Sequence, residues 1–511
     1  MSANAAPDRS PAISPRLANA LNLVAGSWVE GLGGAIRDIY NPADSSELVA
    51  PVREASLEQV DDACAAAARA LPGWRATPAP DRAHVLFRFR ELLEKNFSDV
   101  AHSVVRENGK LLGEARVALR RGIDVVDFAC GIPSQMMGQS LSGISRNVDC
   151  LTVREPMGVV VGIPPFNFPA VIPLWMMSVA VACGNTFILK PAEKAPLTGT
   201  SLVEMFADAG LPRGVVGVVQ GSKDVSERLI ANPHVQAVSF VGTSAVAESV
   251  YRFAGAHGKR VQAHGGAKNH LLILPDADLE RILPDLITSC FGSAGQRCLD
   301  GSVLVVAGDR ERQDAVVDAF ISAAGELRLG DGLDDIATLC PVVNTKEEKR
   351  IRAAIERGVE EGAQLRLDGR SQTVPSRPRG CFIGPTVFDD VTPEMFVGRE
   401  EIFGPVVSVM RAPDLDAAIT LANRSRYGNT ACVFTQSGAS ARTFRERAQA
   451  GMLGINVGVP APMGFFPFGG WKDSIYGYHN TQGADAVAFY TRKKVVTEHW
   501  LGSEAPSDGW A

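Results

Sequence analysis

Two short stretches carry residue types able to do chemistry. Cys298 ends Phe291-Gly-Ser-Ala-Gly-Gln-Arg-Cys298, a loop with two glycines that follows an apolar helical segment and places Arg297 beside the thiol. A neighbouring cation lowers a thiol's pKa and raises the thiolate fraction, the form that attacks carbonyl carbon. Taken alone, the residue reads as a packed cysteine rather than a nucleophile, because cysteine is among the most buried types. The second stretch is Gly162-Ile-Pro-Pro-Phe-Asn-Phe-Pro169, between an apolar run and a helical segment. Its three prolines stiffen the backbone, and Asn167 is its only side-chain amide. A rigid loop presenting an amide N–H suits a developing oxyanion, and the same asparagine would also serve as a helix cap.

Other fingerprints are absent or broken. There is no HExxH and no GxSxG. Gly31-Leu-Gly-Gly-Ala-Ile36 begins like a dinucleotide-binding turn but has Ile36 in place of the third glycine, so it reads as a hairpin turn. Gly258-Lys-Arg260 lacks the hydroxyl residue and upstream glycine of a phosphate loop and reads as a solvated turn. Nine cysteines in 511 residues, odd in number and without a CxxC pair, do not suggest a disulfide framework or structural zinc, and no metal is expected. A net charge of −6, without long like-charge blocks, argues against a nucleic-acid surface or polybasic membrane anchor. Apolar residues at 46% and charged residues at 21% fit a folded chain rather than a disordered one. Residues 1–16, rich in Ala, Pro and Ser without an apolar core, read as a flexible tail and not a signal peptide. The apolar stretch 169–183 is short and interrupted by Pro173, so a cytoplasmic, reducing setting is expected.

The elements that must position these loops follow from periodicity. Apolar residues at helical spacing mark 57–71 and 85–97 as helices. From Gly158 the texture changes to short apolar runs at 158–162, 186–189, 215–219, 237–241 and 271–274, alternating with helical stretches. Runs of this kind are strands buried on both faces, which predicts an α/β fold with a parallel, doubly wound sheet. A second series has strands at 303–306, 406–409 and 432–435 and helices at 312–327, 345–362, 415–423 and 439–450. The cut between the two series is expected near Pro275. Residues 485–497, rich in Val, Phe and Tyr, read as a late strand outside both main sheets.

Six motifs occur in one order: the loop 162–169, Leu189-Lys-Pro-Ala-Glu193, Phe240-Val-Gly-Thr-Ser244, Gly265-Gly-Ala-Lys-Asn269, Gly295-Gln-Arg-Cys298 and Glu400-Glu-Ile-Phe-Gly-Pro405. In these the chain resembles the aldehyde dehydrogenase superfamily from about residue 21 to residue 500. Ala267-Lys-Asn-His270, Gly458-Val-Pro-Ala-Pro-Met463, Phe465-Phe-Pro-Phe-Gly-Gly-Trp-Lys-Asp473 and Phe489-Tyr-Thr-Arg-Lys-Lys494 make it most similar to the CoA-acylating methylmalonate-semialdehyde (malonate-semialdehyde) dehydrogenases.

The resemblance implies roles. Cys298 falls on the nucleophile and Asn167 on the oxyanion donor. Ile163, Pro165, Phe166, Lys190, Glu193, Gly242, Ser244, Glu401 and Phe403 fall on NAD-contacting positions, with Ala247 replacing the loop's closing glycine. An acidic Glu193 at the ribose hydroxyls favours NAD over NADP. Hydrolytic relatives carry a glutamate five residues before the asparagine of their Gly-Gly-Lys-Asn motif; here that place holds His264, which argues for transfer to a thiol, coenzyme A. His264 remains either a spacer or a base. Arg121 and Arg297 match arginines associated with the semialdehyde carboxylate, and a guanidinium fork suits that anion. Alternatives left open are a hydrolytic aldehyde dehydrogenase and a catalytically silent protein of the same fold. The implied organisation is a tail at 1–16, an NAD-binding domain at 17–137 and 157–274, a catalytic domain at 275–484, and an oligomerisation arm at 138–156 and 485–499. A homodimer or homotetramer is expected.

Overall fold

The computed structural model describes residues 20–501, so the tail expected at 1–16 lies outside the described residues. The first helix shows how local sequence sets an element. Ser56 Oγ accepts from Gln59 N at 3.3 Å while Gln59 Oε1 accepts from Ser56 N at 3.0 Å, a reciprocal cap that starts Leu57–Ala76. Val60, Ala63, Cys64 and Ala67 then face the core at helical spacing. The next helix is Ala79–Lys95, and Phe97 opens a separate helix, Phe97–Asn108, rather than closing the one before it.

Eight strands make the first sheet, in the order Ser27–Val29, Asn22–Val24, Val216–Val218, Thr186–Leu189, Val159–Ile163, Val235–Val241, Arg260–His264 and Ile475–Gly477. The five strands from Val216–Val218 to Arg260–His264 are parallel, and the flanking ones are antiparallel. The chain runs outward from Val159–Ile163 and then returns to its other side with Val235–Val241. Strand order therefore reverses between those two strands, and a crevice opens at their carboxyl ends. The second sheet has seven strands: Gln364–Leu367, Thr386–Asp389, Val406–Ala412, Val303–Ala307, His270–Ile273, Thr430–Phe434 and Met452–Ile455. It is parallel except at Gln364–Leu367. Each sheet is packed in its own apolar core.

Several expectations need correction. The cut at Pro275 falls one strand late, because His270–Ile273 pairs with Val303–Ala307 and Thr430–Phe434 in the second sheet. Its apolar run has the same composition as the strands before it, so nothing local marks the change. Residues 485–497 are not one strand. Gly483–Tyr490 is a helix that buries Ala486, Val487, Phe489 and Tyr490, and the strand is Thr491–His499. β-Branched and aromatic content misled there, whereas the buried positions follow helical i, i+1, i+3, i+4 spacing.

Gly31-Leu-Gly-Gly-Ala-Ile36 does not close a hairpin. The strand before it pairs with Asn22–Val24 and the one after it with Asp44–Arg53, so the loop crosses between sheets. A Cβ at Gly31 would lie 2.3 Å from the Arg53 and Glu54 carbonyl oxygens, which is why glycine stands there. Gly258 does turn the chain, but its neighbours are not merely solvated. Lys259 Nζ donates to the Asn232 and Val235 carbonyls, both at 2.8 Å, and Arg260 donates to the carbonyls of Ala488, Phe489 and Thr491.

Ser140–Ser145, Val148–Pro156 and Thr491–His499 form a separate antiparallel three-stranded sheet. Among the described residues, no helix is long and apolar enough to cross a membrane.

Candidate functional site

The site lies where the carboxyl ends of the first sheet meet the amino ends of the second. Loop 162–169 leaves the first sheet at the strand-order reversal. Asn167, 3% exposed, sends one amide N–H to the Gln296 carbonyl at 3.0 Å, which ties this loop to the one bearing Cys298. The amide nitrogen carries two N–H groups, so a second is left to give to an oxyanion.

The Cys298 loop is built on unusual backbone. Ser293, Ala294 and Gly295 have φ of 56°, 53° and 66°, a left-handed turn in which two of the residues are not glycine. Such conformations persist only where the surroundings over-determine them, and they cluster at functional sites. Here Ser293 N donates to Glu114 Oε1 at 2.6 Å. Gly295 has no alternative: a Cβ there would fall 2.0 Å from the Gly404 carbonyl oxygen. That contact joins the nucleophile loop to 400–405, where Phe403 also takes a positive φ of 54°.

The thiol environment differs from the expectation. Cys298 is half-buried against Trp175, Leu299, Met452, Val459, Ala461 and Phe468. Desolvation in this apolar pocket pushes the thiol up to about 11; Glu401 pushes the same way, while Arg297 and Lys110 pull down without prevailing. Arg297 alone therefore does not hold the sulfur as a thiolate.

Arg297 is held at a helix end. Its Nη2 donates to the Thr288 and Ser289 carbonyls, both at 2.8 Å, at the end of helix Leu279–Phe291. Both carbonyls also accept a backbone N–H, from Gly292 and Gly301, while Arg297 Nε is buried without a hydrogen-bond partner and Asp300 Oδ1 lies 3.9 Å from Nη2. Arg121, on helix Leu112–Cys130, is exposed and donates to the Ala461 carbonyl at 3.2 Å, at the rim of the pocket.

His264 ends the strand Arg260–His264 with its ring centroid 6.2 Å from that of Phe468. It is 3% exposed, neither ring nitrogen has a hydrogen-bond partner, and burial lowers its pKa to about 4.

The positions matched to a dinucleotide line the crevice. Ile163, Pro165 and Phe166 follow the first strand, and the Phe166 and Phe403 rings meet edge-on with centroids 5.8 Å apart. Lys190, 5% exposed, lies 3.8 Å from Glu193, and burial lowers its pKa. Gly242 leads into helix Ser244–Ala256, whose first-turn N–H groups have no intrahelical acceptors and suit an anion. Ser244 Oγ donates to the Asp473 carbonyl at 2.6 Å and accepts from Gly266 N at 2.9 Å, so its hydroxyl braces the fold and leaves anion contact to backbone. Ala247, in place of a glycine, is fully buried inside that helix. Glu401 Oε1 accepts from Ala267 N at 2.9 Å, and burial pushes its carboxyl up to about 7.

Three residues had no signal in the sequence. Arg37 pairs with Glu193 at 3.2 Å and with Glu54 at 3.3 Å, from a strand far away in the chain. Trp175 meets Phe468 at a tilt, with ring centroids 5.0 Å apart, from a helix that is apolar all round. Asn429 donates to the Cys298 carbonyl at 2.8 Å. Among the described residues, no group of three or more His, Cys, Asp or Glu could hold a metal.

Comparison with known proteins adds an independent line. The aldehyde dehydrogenase family model matches residues 28–496. Malonate-semialdehyde dehydrogenase 2 of Geobacillus kaustophilus (strain HTA426) is 47% identical over 479 residues, covering 94% of this chain and 98% of that one. Among solved structures, methylmalonate-semialdehyde dehydrogenase of Oceanimonas doudoroffii is 40% identical with a TM-score of 0.93, covering 95% of this chain and 99% of its own. A Sinorhizobium meliloti 1021 protein, named as a methylmalonate-semialdehyde dehydrogenase and solved with NAD, is 40% identical with a TM-score of 0.92, covering 94% and 98% of the two chains.

Proposed function

This chain belongs to the aldehyde dehydrogenase family, and on that footing we propose that it oxidises a short carboxylated semialdehyde with NAD and passes the acyl group to coenzyme A. Malonate or methylmalonate semialdehyde would give acetyl-CoA or propionyl-CoA, with loss of CO2. The observation that carries this reading is a thiol braced beside Asn167 while the nearby place for a hydrolytic carboxylate holds the buried His264.

NAD fits the crevice at the strand-order reversal. Lys190 and Glu193 would hold the adenosine ribose, the backbone at Gly242 and Ser244 the pyrophosphate, and Glu401 and Phe403 the nicotinamide ribose, with Ile163, Pro165 and Phe166 along the loop between. When bound, NAD supplies the hydride acceptor.

Cys298 Sγ loses its proton to solvent water and adds to the aldehyde carbon. The new alkoxide is met by the second Asn167 N–H and the Cys298 backbone N–H. Once the hydride has left, the acyl group remains on Sγ as a thioester. Its carbonyl can take up the electron pair freed when a β-carboxylate departs as CO2, and the enolate so formed takes a proton from water at carbon to leave an acetyl or propionyl thioester. The thiolate of coenzyme A then displaces Sγ. A neutral His264, held as a weak base by burial, offers little help to water, which favours a thiol acceptor that ionises by itself. Arg121 at the pocket rim is the group we assign to the substrate carboxylate. A reducing, cytoplasmic setting would keep Cys298 as a free thiol.

The test is NADH formation from malonate semialdehyde with and without coenzyme A, with product identification. Fast turnover should require coenzyme A and yield acetyl-CoA, and Cys298→Ala should bind NAD but make no NADH. Equal turnover to a free acid without coenzyme A would replace this reading with the hydrolytic one.

A further inference from the structure

The carbonyls of the nucleophile loop are held by three asparagines from three separate segments. Gln296 O accepts from Asn167 Nδ2 at 3.0 Å. Cys298 O accepts from two donors, Asn269 Nδ2 at 2.9 Å and Asn429 Nδ2 at 2.8 Å. Asp300 O accepts from Asn269 Nδ2 at 2.8 Å. Within the loop, Arg297 O accepts from Asp300 N at 3.0 Å. Asn269 and Asn429 are 2% and 5% exposed. They precede the adjacent strands His270–Ile273 and Thr430–Phe434, and Thr430 N donates back to Asn269 Oδ1 at 3.1 Å. The pair is thus a rigid platform at the amino edge of the second sheet.

A carbonyl bound by two buried amides cannot rotate without breaking both bonds, and burial makes each bond hard to replace. Pinning the Cys298 carbonyl fixes the peptide that follows Cys298. The Asp300 N–H on the Arg297 carbonyl fixes the peptide that precedes it. The Cα between two fixed planes, and therefore the direction of the side chain, has no remaining backbone freedom. The Cys298 N–H is left beside its own sulfur, where an oxyanion would form.

We propose that Asn269 and Asn429 are positioning residues that set the Cys298 peptide so that the thiol and its backbone N–H face substrate together. This rests on Cys298 being the nucleophile. Asn429 is the cleaner probe, because Asn269 also braces Asp300 and Thr430. Asn429→Asp keeps the shape while removing the donor, and Asn429→Ala removes both.

The experiment uses the full-length chain and two readouts. The first is the NADH burst in a single turnover with malonate semialdehyde. The second is alkylation of Cys298 by iodoacetamide at pH 8, followed by mass spectrometry, which needs no aldehyde. Both variants should form NADH at least tenfold more slowly in the burst and alkylate at least fivefold more slowly. NAD affinity, read by quenching of tryptophan fluorescence, should stay within twofold. A parent that alkylates but makes no NADH would fail the proposed function, and the alkylation ratio alone would then judge this proposal. Burst and alkylation rates within twofold of the parent would overturn it. So would parallel losses in NAD binding, alkylation and thermal midpoint, which would make Asn429 a general support of the fold.

Discussion

The role proposed for Arg121 would separate substrate recognition from chemistry at the scale of one residue. Its guanidinium reaches the Ala461 carbonyl at the pocket rim but makes no contact with Cys298 that would change the nucleophile. Arg121→Leu should therefore raise KM for malonate semialdehyde about tenfold or more, the worth of a charge-assisted hydrogen bond of about 1.5–3 kcal/mol. KM for propanal should hardly change, and equal losses with both aldehydes would show that Arg121 is structural. His264 makes a different prediction, through pH. Burial holds its folded-state pKa at about 4, below the unfolded value of about 6.5. Between those values the unfolded chain binds a proton that the folded chain refuses, so stability falls as pH drops from about 6.5 towards 4. His264→Asn should flatten this acid limb of the thermal midpoint, and an unchanged slope would contradict the buried, neutral ring. The same variant should retain CoA-dependent turnover. A new NADH burst followed by a depressed steady rate would instead identify His264 as the deacylation base.

At the scale of elements, Arg260 connects three pieces that local sequence treats as unrelated. It sits on the strand Arg260–His264 and donates to the carbonyls of Ala488, Phe489 and Thr491, where helix Gly483–Tyr490 passes into strand Thr491–His499. Those carbonyls are ones a helix end leaves without partners, and a cation there also suits the helix dipole. Arg260→Met should cost about 3 kcal/mol, because it strands half-buried acceptors as well as removing the donor. The check is the thermal midpoint together with proteolysis near residue 490. A midpoint equal to the parent's would mean that water replaces the guanidinium without loss.

At the scale of the whole molecule, the three-stranded sheet stands out as an unfinished surface. Every residue of the edge strand Ser140–Ser145 is exposed, and Leu141 and Val495 are 64% and 65% exposed. An open edge beside exposed apolar side chains invites pairing with another chain. We assign this sheet to subunit bridging and expect a dimer or tetramer of the 54.3 kDa chain by light scattering. Leu141→Asp combined with Val495→Asp should shift the mass towards a single chain. A parent already at the mass of one chain would remove the assignment.

Alternating apolar runs made the fold class legible in the sequence and six ordered motifs the family resemblance, because each is a local instruction. Prolines stiffen a loop, a glycine permits a close approach, and an apolar run becomes a buried strand wherever it pairs. Gly295 illustrates the limit of that local reading. The motif shows the glycine, but only the fold shows that Gly404 lies against it. The direction of the Cys298 shift comes from burial beside Leu299 next to it and Met452 and Phe468 from distant segments, and it outweighs the adjacent Arg297. Arg297 itself reaches the Thr288 and Ser289 carbonyls at a helix end that the folded loop brings beside it. His270–Ile273 joined the second sheet through partners that its own residues do not specify. Asn429, 131 residues from Cys298, reaches its carbonyl only after two strands pair side by side. Residue types and short spacing therefore determined which groups could react. Tertiary packing decided which way they face and how they ionise, because burial and hydrogen-bond partners are properties of contacts between segments.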